Sequence, residues 1–257
     1  MNTYDNVLVD IDENVARIAL HRPKALNALS LDLKREVREA LTELEADERI
    51  RCLVLTGAGK AFSAGQDLNE RLDPASPDDA GRRVRESSQF PEIFLRSRIP
   101  SISMIHGYCL GGALQMTLYT DVRVASVDAK FGLPEFERGM ACIAGMYLIG
   151  GVIGLGRAMP MLLRGSDWVT ATEAKEIGLV HYVVERDELE TTTMAMARKI
   201  AALPPAGVRA TREWKATLFR NMNGIPLEEM WAAVGRYHEE VYGTGQSQAA
   251  VGRFLTR

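Results

Sequence analysis

Two short apolar runs, each released into a loop of small residues, restrict this chain more than any other feature. Cys52-Leu53-Val54-Leu55 carries no polar side chain and reads as a buried strand. Thr56-Gly57-Ala58-Gly59 follows it, and then Lys60-Ala61-Phe62-Ser63-Ala64-Gly65-Gln66-Asp67-Leu68. The arrangement recurs at Ile102-Ser103-Met104-Ile105, which leads into His106-Gly107-Tyr108-Cys109-Leu110-Gly111-Gly112-Ala113. Small residues after a strand let the backbone turn sharply and expose its N–H groups. Two such loops can hold one carbonyl oxygen from two sides, as an oxyanion hole does. Taken singly, each loop reads better as a tight turn.

The flanking segments give the fold class. Val7-Leu8-Val9-Asp10-Ile11 and Val15-Ala16-Arg17-Ile18-Ala19-Leu20 flank Asp12-Glu13-Asn14, the pattern of a β-hairpin. Ser30 can cap a helix that places Leu33, Val37, Leu41 and Leu44 on one face. Strand, helix and strand then alternate, which predicts an α/β fold. Thr170-Ala171-Thr172-Glu173 fits a capping box, and Gly178 suits the exit from that helix. The glycines between Gly150 and Gly156 lack dinucleotide-binding spacing and read as a helix turn with packing glycines. A phosphate-binding loop at Gly57-Ala58-Gly59-Lys60 fails too, because Val54 stands where its first glycine belongs. Residues 72–79 read as a polar loop. Arg82, Arg83, Arg85, Arg96 and Arg98 then read as a solvated helix face, or else as a flap that meets phosphates. Near the C-terminus, Leu227, Met230, Trp231, Val234, Tyr237, His238 and Val241 form an apolar stripe at helical spacing.

Bulk properties exclude several classes. A net charge of -3 gives no reason to expect nucleic acid or an anionic membrane as partner. Three well-separated cysteines, without C-x-x-C spacing, argue against a disulfide framework or a zinc site. No metal centre is expected. No apolar run reaches membrane-spanning length and no basic leader precedes an apolar stretch, so the expected location is cytoplasmic.

A-F-S-A-G-Q-D-L at Ala61 to Leu68, followed by H-G-Y-C-L-G-G-A at His106 to Ala113, resembles the crotonase (enoyl-CoA hydratase/isomerase) superfamily. The likeness continues through His21-Arg22-Pro23-Lys24-Ala25-Leu26-Asn27-Ala28-Leu29, Phe131-Gly132-Leu133-Pro134-Glu135 and Thr172 to Val180. The resemblance implies a crotonase-like ββα spiral core over residues 1–195. It implies a C-terminal helical region, 196–257, that packs against neighbouring subunits in a trimer or a dimer of trimers. The implied substrate is an acyl-CoA thioester, so coenzyme A is part of the substrate and no separate cofactor is expected. By the same resemblance the oxyanion donors are the backbone N–H groups of Ala64 and Gly112. Lys24, Ala25 and Leu26 match the segment along the CoA adenine, and Ala64, Gly65, Gln66, Asp67, Leu68 and Gly111 are the further residues expected to bind substrate or CoA. Asp67 reads more as a brace for its loop than as a reactive group.

The chain departs from the family at its acid/base pair. Typical hydratases of this family use two glutamates; the second is present as Glu135, but the first is replaced by Gln115. An amide orients water by hydrogen bonding and exchanges no proton at neutral pH. Ile143 stands where some branches carry an aspartate, and Met146 where a second glycine is common. Glu137, if its segment is extended, points away from Glu135 and is not the missing partner. Ser63 lies in a near match to G-x-S-x-G, and the four histidines read as structural. The leading expectation is hydration of a trans-2-enoyl-CoA to a 3-hydroxyacyl-CoA. A 3,2-enoyl-CoA isomerase using one glutamate is the alternative, followed by a non-catalytic acyl-CoA binder, an RNA binder and a hydrolase of the thioester.

Overall fold

The computed structural model describes residues 3–71 and 89–243. The polar loop at 72–79 and Arg82, Arg83 and Arg85 lie outside the described residues, as do the side chains of His238 and Val241. The chain opens with an antiparallel hairpin, β1 (Val7–Asp12) and β2 (Val15–Leu20), in which Asp12 pairs with Val15. Helix α1 (Leu31–Ala46) crosses to β3 (Cys52–Gly57), which lies parallel to β2. A short α2 (Glu92–Arg96) precedes β4 (Ser101–Ile105), β5 (Tyr108–Leu110), α3 (Gly112–Leu118), β6 (Val122–Ser126) and β7 (Lys130–Gly132). Helices α4 (Ile143–Ile153) and α5 (Leu155–Leu163) lead to β8 (Val169–Thr170), α6 (Ala171–Glu176) and β9 (Tyr182–Val184). The chain then turns helical in α7 (Leu189–Ala201), α8 (Pro205–Phe219) and α9 (Leu227–Gly243). The strands form a six-stranded sheet, β1-β2-β3-β4-β6-β9, and a three-stranded sheet, β5-β7-β8.

The unbroken apolar run of β3 has its cause in two-sided burial. Side chains alternate between the faces of a strand. Leu53 and Leu55, with Ile18, Leu20 and Ile105, belong to the core that includes Leu33, Val37, Leu41 and Leu44 of α1. Cys52 and Val54, with Ile102, Met104 and Val124, pack against Leu189, Ala197 and Ala201 of α7. A parallel strand covered on both faces favours apolar residues throughout, and the one polar side chain of β3, Thr56, is buried with its hydroxyl donating to Met104 O at 2.9 Å. All three cysteines are buried and free.

The expected helix signals act locally. Ser30 Oγ accepts from the Leu33 N–H at 3.2 Å and starts α1. Thr170 Oγ1 accepts from the Glu173 N–H at 3.2 Å, but the return half of the capping box is missing because the Glu173 carboxylate pairs with Arg164. Gly178 leaves α6 at φ +81. Gly151 is a packing glycine, since a Cβ there would meet Met222 Sδ at 1.6 Å. Arg98 donates to the carbonyls of Glu45 and Asp47, both at 2.8 Å, and so closes the end of α1. Arg96 pairs with Glu92 at 2.9 Å.

The C-terminal helices return to the chain's own core. Arg212 and Lys215 of α8 hold opposite oxygens of Asp121 at 2.9 and 2.7 Å. Leu227, Met230, Trp231 and Val234 of α9 are all under 5% exposed within the main apolar cluster. The stripe, which by itself says only that its helix packs on something, is covered over these residues by the same chain. The division expected after residue 195 falls inside α7, whose Ala197 and Ala201 pack under the sheet. Among the described residues no helix is long and apolar enough to cross a membrane.

Leu55, which has no exposed surface, and Leu31, 46% exposed on α1, separate burial from composition. Leu55→Ala is expected to lower unfolding free energy by about 3 kcal/mol, and Leu31→Ala by less than about 0.5 kcal/mol, in urea titrations.

Candidate active site

The two glycine loops lie zipped together. The Phe62 N–H donates to His106 O at 2.8 Å, the Ser63 N–H to Tyr108 O at 2.9 Å, and the Leu110 N–H to Ser63 O at 3.1 Å. Close approach needs glycine: a Cβ on Gly107 (φ +53) would meet Lys60 O at 2.1 Å, and one on Gly65 (φ +91) would meet Leu110 O at 2.6 Å. Asn27 fastens the first loop. It is fully buried at φ +56 and donates through Nδ2 to Ala58 O and Ala61 O, each at 2.8 Å. Its Oδ1 accepts from the Arg22 N–H at 2.9 Å. Its backbone carbonyl accepts from the Ser63 hydroxyl at 2.7 Å, and Ser63 Oγ accepts from the Gly65 N–H at 3.2 Å. Ser63 is thus a buried loop brace, not a nucleophile. Asp67 braces the same loop, taking Arg22 Nη1 at 2.8 Å and the Asn69 N–H at 3.1 Å.

One expected donor is misplaced. The Ala64 N–H donates to Leu26 O at 2.9 Å, so the chain itself occupies that group. The next donor along is set by local pairing. Leu29 and Gln66 form a parallel bridge, with the Leu29 N–H on Gly65 O at 2.8 Å and the Asp67 N–H on Leu29 O at 3.3 Å. In such a bridge the backbone groups of the central residue, Gln66, point to the opposite side. Gly112 lies near: a Cβ built on Gly112 would stand 3.9 Å from the Gln66 nitrogen, and one on Gly65 would stand 3.4 Å from the Gly112 nitrogen. Gly112 opens α3, so its N–H has no acceptor within the helix. The Gln66 side chain accepts from Lys34 Nζ at 2.8 Å.

A cleft collects these groups. Ala64, Gln66, Leu68, Gly111, Gly112, Gln115 and Glu135 line it, together with Leu29, Phe90, Pro91, Arg138, Met140, Cys142, Ile143, Ala144 and Val234. Glu135 Oε1 lies 3.5 Å from Gln115 Nε2, and a Cβ on Gly111 would stand 3.2 Å from the same oxygen. Glu135 Oε2 is shielded from solvent. Cys142 Sγ lies 4.0 Å from Gln115 Nε2; burial first, and Glu135 second, push its thiol pKa well up, so the sulfur stays protonated. Glu137 serves elsewhere, in a single 3-10 turn rather than an extended segment. Its carboxylate accepts from the Ser166 N–H at 2.8 Å and from the Ser166 hydroxyl, which holds it below the usual carboxylate range.

Lys24, Ala25 and Leu26 occupy an exposed turn outside the cleft, joined to it through the Leu26–Ala64 bond. Gly65 and Asp67 support the wall from behind. His106 anchors to Gly59 O at 3.2 Å, and His181 Nδ1 accepts from the Arg123 N–H at 2.9 Å. Among the described residues no group of three or more His, Cys, Asp and Glu side chains is placed to hold a metal. Sequence reading missed Phe90, Pro91 and Val234. Val234 sits in the recognised apolar stripe, but periodicity names a face and not what covers it.

The sequence profile of the enoyl-CoA hydratase/isomerase family matches residues 10–256. A probable enoyl-CoA hydratase of Mycobacterium tuberculosis is 35% identical over 219 residues, 82% of this chain and 81% of its own. The 1,2-epoxyphenylacetyl-CoA isomerase of Escherichia coli is 34% identical over 208 residues, 79% of this chain and 78% of its own. The crystal structure of an enoyl-CoA hydratase/isomerase from Xanthobacter autotrophicus Py2 superposes with a TM-score of 0.84 at 31% identity, covering 97% of each chain.

Asn27→Ala strips the Ala58 and Ala61 carbonyls of their buried donor. It is expected to cost about 3 kcal/mol of unfolding free energy, read by urea denaturation, because each buried group left unsatisfied costs roughly 1–3 kcal/mol.

Proposed function

The chain belongs to the enoyl-CoA hydratase/isomerase family, and from that premise we propose that it hydrates a trans-2-enoyl-CoA to a 3-hydroxyacyl-CoA. The thioester oxygen lies against the Gly112 N–H, with the Gln66 amide as the second donor. Negative charge that grows on that oxygen is met by dipoles already in place, worth about 3–4 kcal/mol per donor in the transition state. Glu135 is the base and then the acid. It takes a proton from water as the water oxygen bonds to Cβ. It returns the proton to Cα as the enolate collapses, so one water adds across one double bond.

The observation that carries this reading is the Gln115–Glu135 pair. The amide and the carboxylate meet at 3.5 Å beside Gly111 and Gly112, so a water that touches one is within reach of the other. Gln115 orients that water and leaves proton transfer to Glu135. One observation favours the second reading, 3,2-isomerisation: among the described residues lining the cleft, Glu135 is the single carboxylate. A lone base can lift the C2 proton of a 3-enoyl-CoA and return it at C4, with no water involved.

Offering 2-enoyl and 3-enoyl CoA esters to the wild type and to Glu135→Gln tests this. The expected result is hydration of the 2-enoyl ester, slowed by roughly 10³-fold in Glu135→Gln. Double-bond migration without hydration moves the assignment to the isomerase. Release of free thiol moves it to hydrolysis, and tight ester binding without turnover makes the protein a binder.

A further inference from the structure

The apolar walls of the cleft come from three separate places: Phe90 and Pro91 ahead of α2, Ile143 and Ala144 at the start of α4, and Val234 on α9. Apolar contact is not directional, so it fixes poorly how far apart such walls stand. Polar pins do that here. The Tyr147 hydroxyl of α4 donates to Ile225 O at 2.9 Å, and Asn223 Nδ2 donates back to Tyr147 O at 2.9 Å, which locates the start of α9. Further along α9, Trp231 Nε1 donates to Glu92 Oε1 at 2.6 Å. Trp231 is 4% and Glu92 7% exposed. Glu92 Oε2 accepts from Arg96 Nη2 at 2.9 Å, so the carboxylate is also paired with a cation.

The position of this bond gives it consequence. Glu92 directly follows Pro91, and Val234 lies one helical turn beyond Trp231 on the same face. The bond thus spans two cleft walls without entering the cleft. An indole N–H is a donor with no alternative role, and its bond to a charged acceptor is among the stronger ones.

We propose that the Glu92–Trp231 bond is a clamp that holds Val234 against Phe90 and Pro91, and so sets which acyl chains the enzyme admits. Both are positioning residues, since neither lines the cleft. This inference rests on the acyl-CoA reading of the site.

The test is equilibrium binding of a saturated CoA ester series, butyryl to lauroyl, and of free CoA. It compares the wild type with Trp231→Phe, Glu92→Ala and Glu92→Gln, with melting temperatures alongside. The expected result is that Trp231→Phe and Glu92→Ala flatten the chain-length dependence of Kd by about tenfold across the series. Free CoA should bind all four proteins equally, and Glu92→Gln, which keeps an acceptor oxygen, should retain the wild-type profile. A lowered melting temperature with an unchanged profile would show a merely structural bond and overturn the clamp. If Trp231→Phe does not fold, Glu92→Ala, which leaves the indole in place, decides the same question. Failure of the wild type to bind any ester would instead overturn the functional reading on which the clamp rests.

Discussion

The joint between the two glycine loops is the constraint on which this site depends, and one buried asparagine closes it. Asn27 reaches the first loop through two carbonyls and takes the Ser63 hydroxyl on its own backbone carbonyl. Ser63 in turn pairs through its backbone with the second loop, opposite Cys109. Remove the asparagine and the loops keep their glycines and the backbone bonds between them, but the first loop loses the donor that fastens its Ala58 and Ala61 carbonyls. A positive φ is tolerated at Asn27 because asparagine adopts that region more readily than most residues. Backbone requirement and side-chain bonding therefore converge on one residue type.

That joint is what the proposed action of two amides from different turns on one atom requires. A donor helps a transition state only if it is already aimed, since reorientation during reaction would consume the gain. Gly65 and Gly107 let the backbones approach to distances that any Cβ would forbid. The chemistry above this platform is simple in its charges. Two carboxylates sharing a site titrate as a pair, with one proton held high. With Gln115 in the place of one, the cleft wall carries a single carboxylate among its described residues, and the neighbouring Cys142 thiol stays neutral. In the proposed reaction, proton handling then falls to Glu135 and the amide of Gln115 is left to orient.

How much of this was legible in the residues varies with the kind of interaction. The sheet could be read from β3 because two-sided burial leaves an unbroken apolar run. Ser30 and Thr170 could be read as caps because capping is local. The convergence of Glu135, Gln115 and Gly112 followed from family resemblance and is found in the cleft. Ala64 failed for a reason that sequence does not carry. Whether an N–H points into a cleft or into a neighbouring segment depends on pairing with Leu26 and Leu29, almost forty residues away. The single residue of positive φ at Gly65 moves the inward-facing amide to Gln66. The return half of the capping box failed similarly, since Glu173 found Arg164, a partner outside the motif.

The C-terminal helix shows the limit of periodicity most clearly. An apolar stripe states that a helix must be covered, and burial is equally favourable whether the cover is a second subunit or the same chain. What decides is a directional contact. Trp231 donates to a carboxylate on α2, and Tyr147 and Asn223 tie the preceding turn to α4, so the stripe is drawn onto its own core. Val234 thereby becomes part of the cleft wall. A stripe that by itself says only that its helix packs on something is, from Leu227 to Val234, packed on its own chain, and Val234 lines the cleft. The polar contacts at its margins, to Tyr147, Asn223 and Glu92, fix where on the chain it packs.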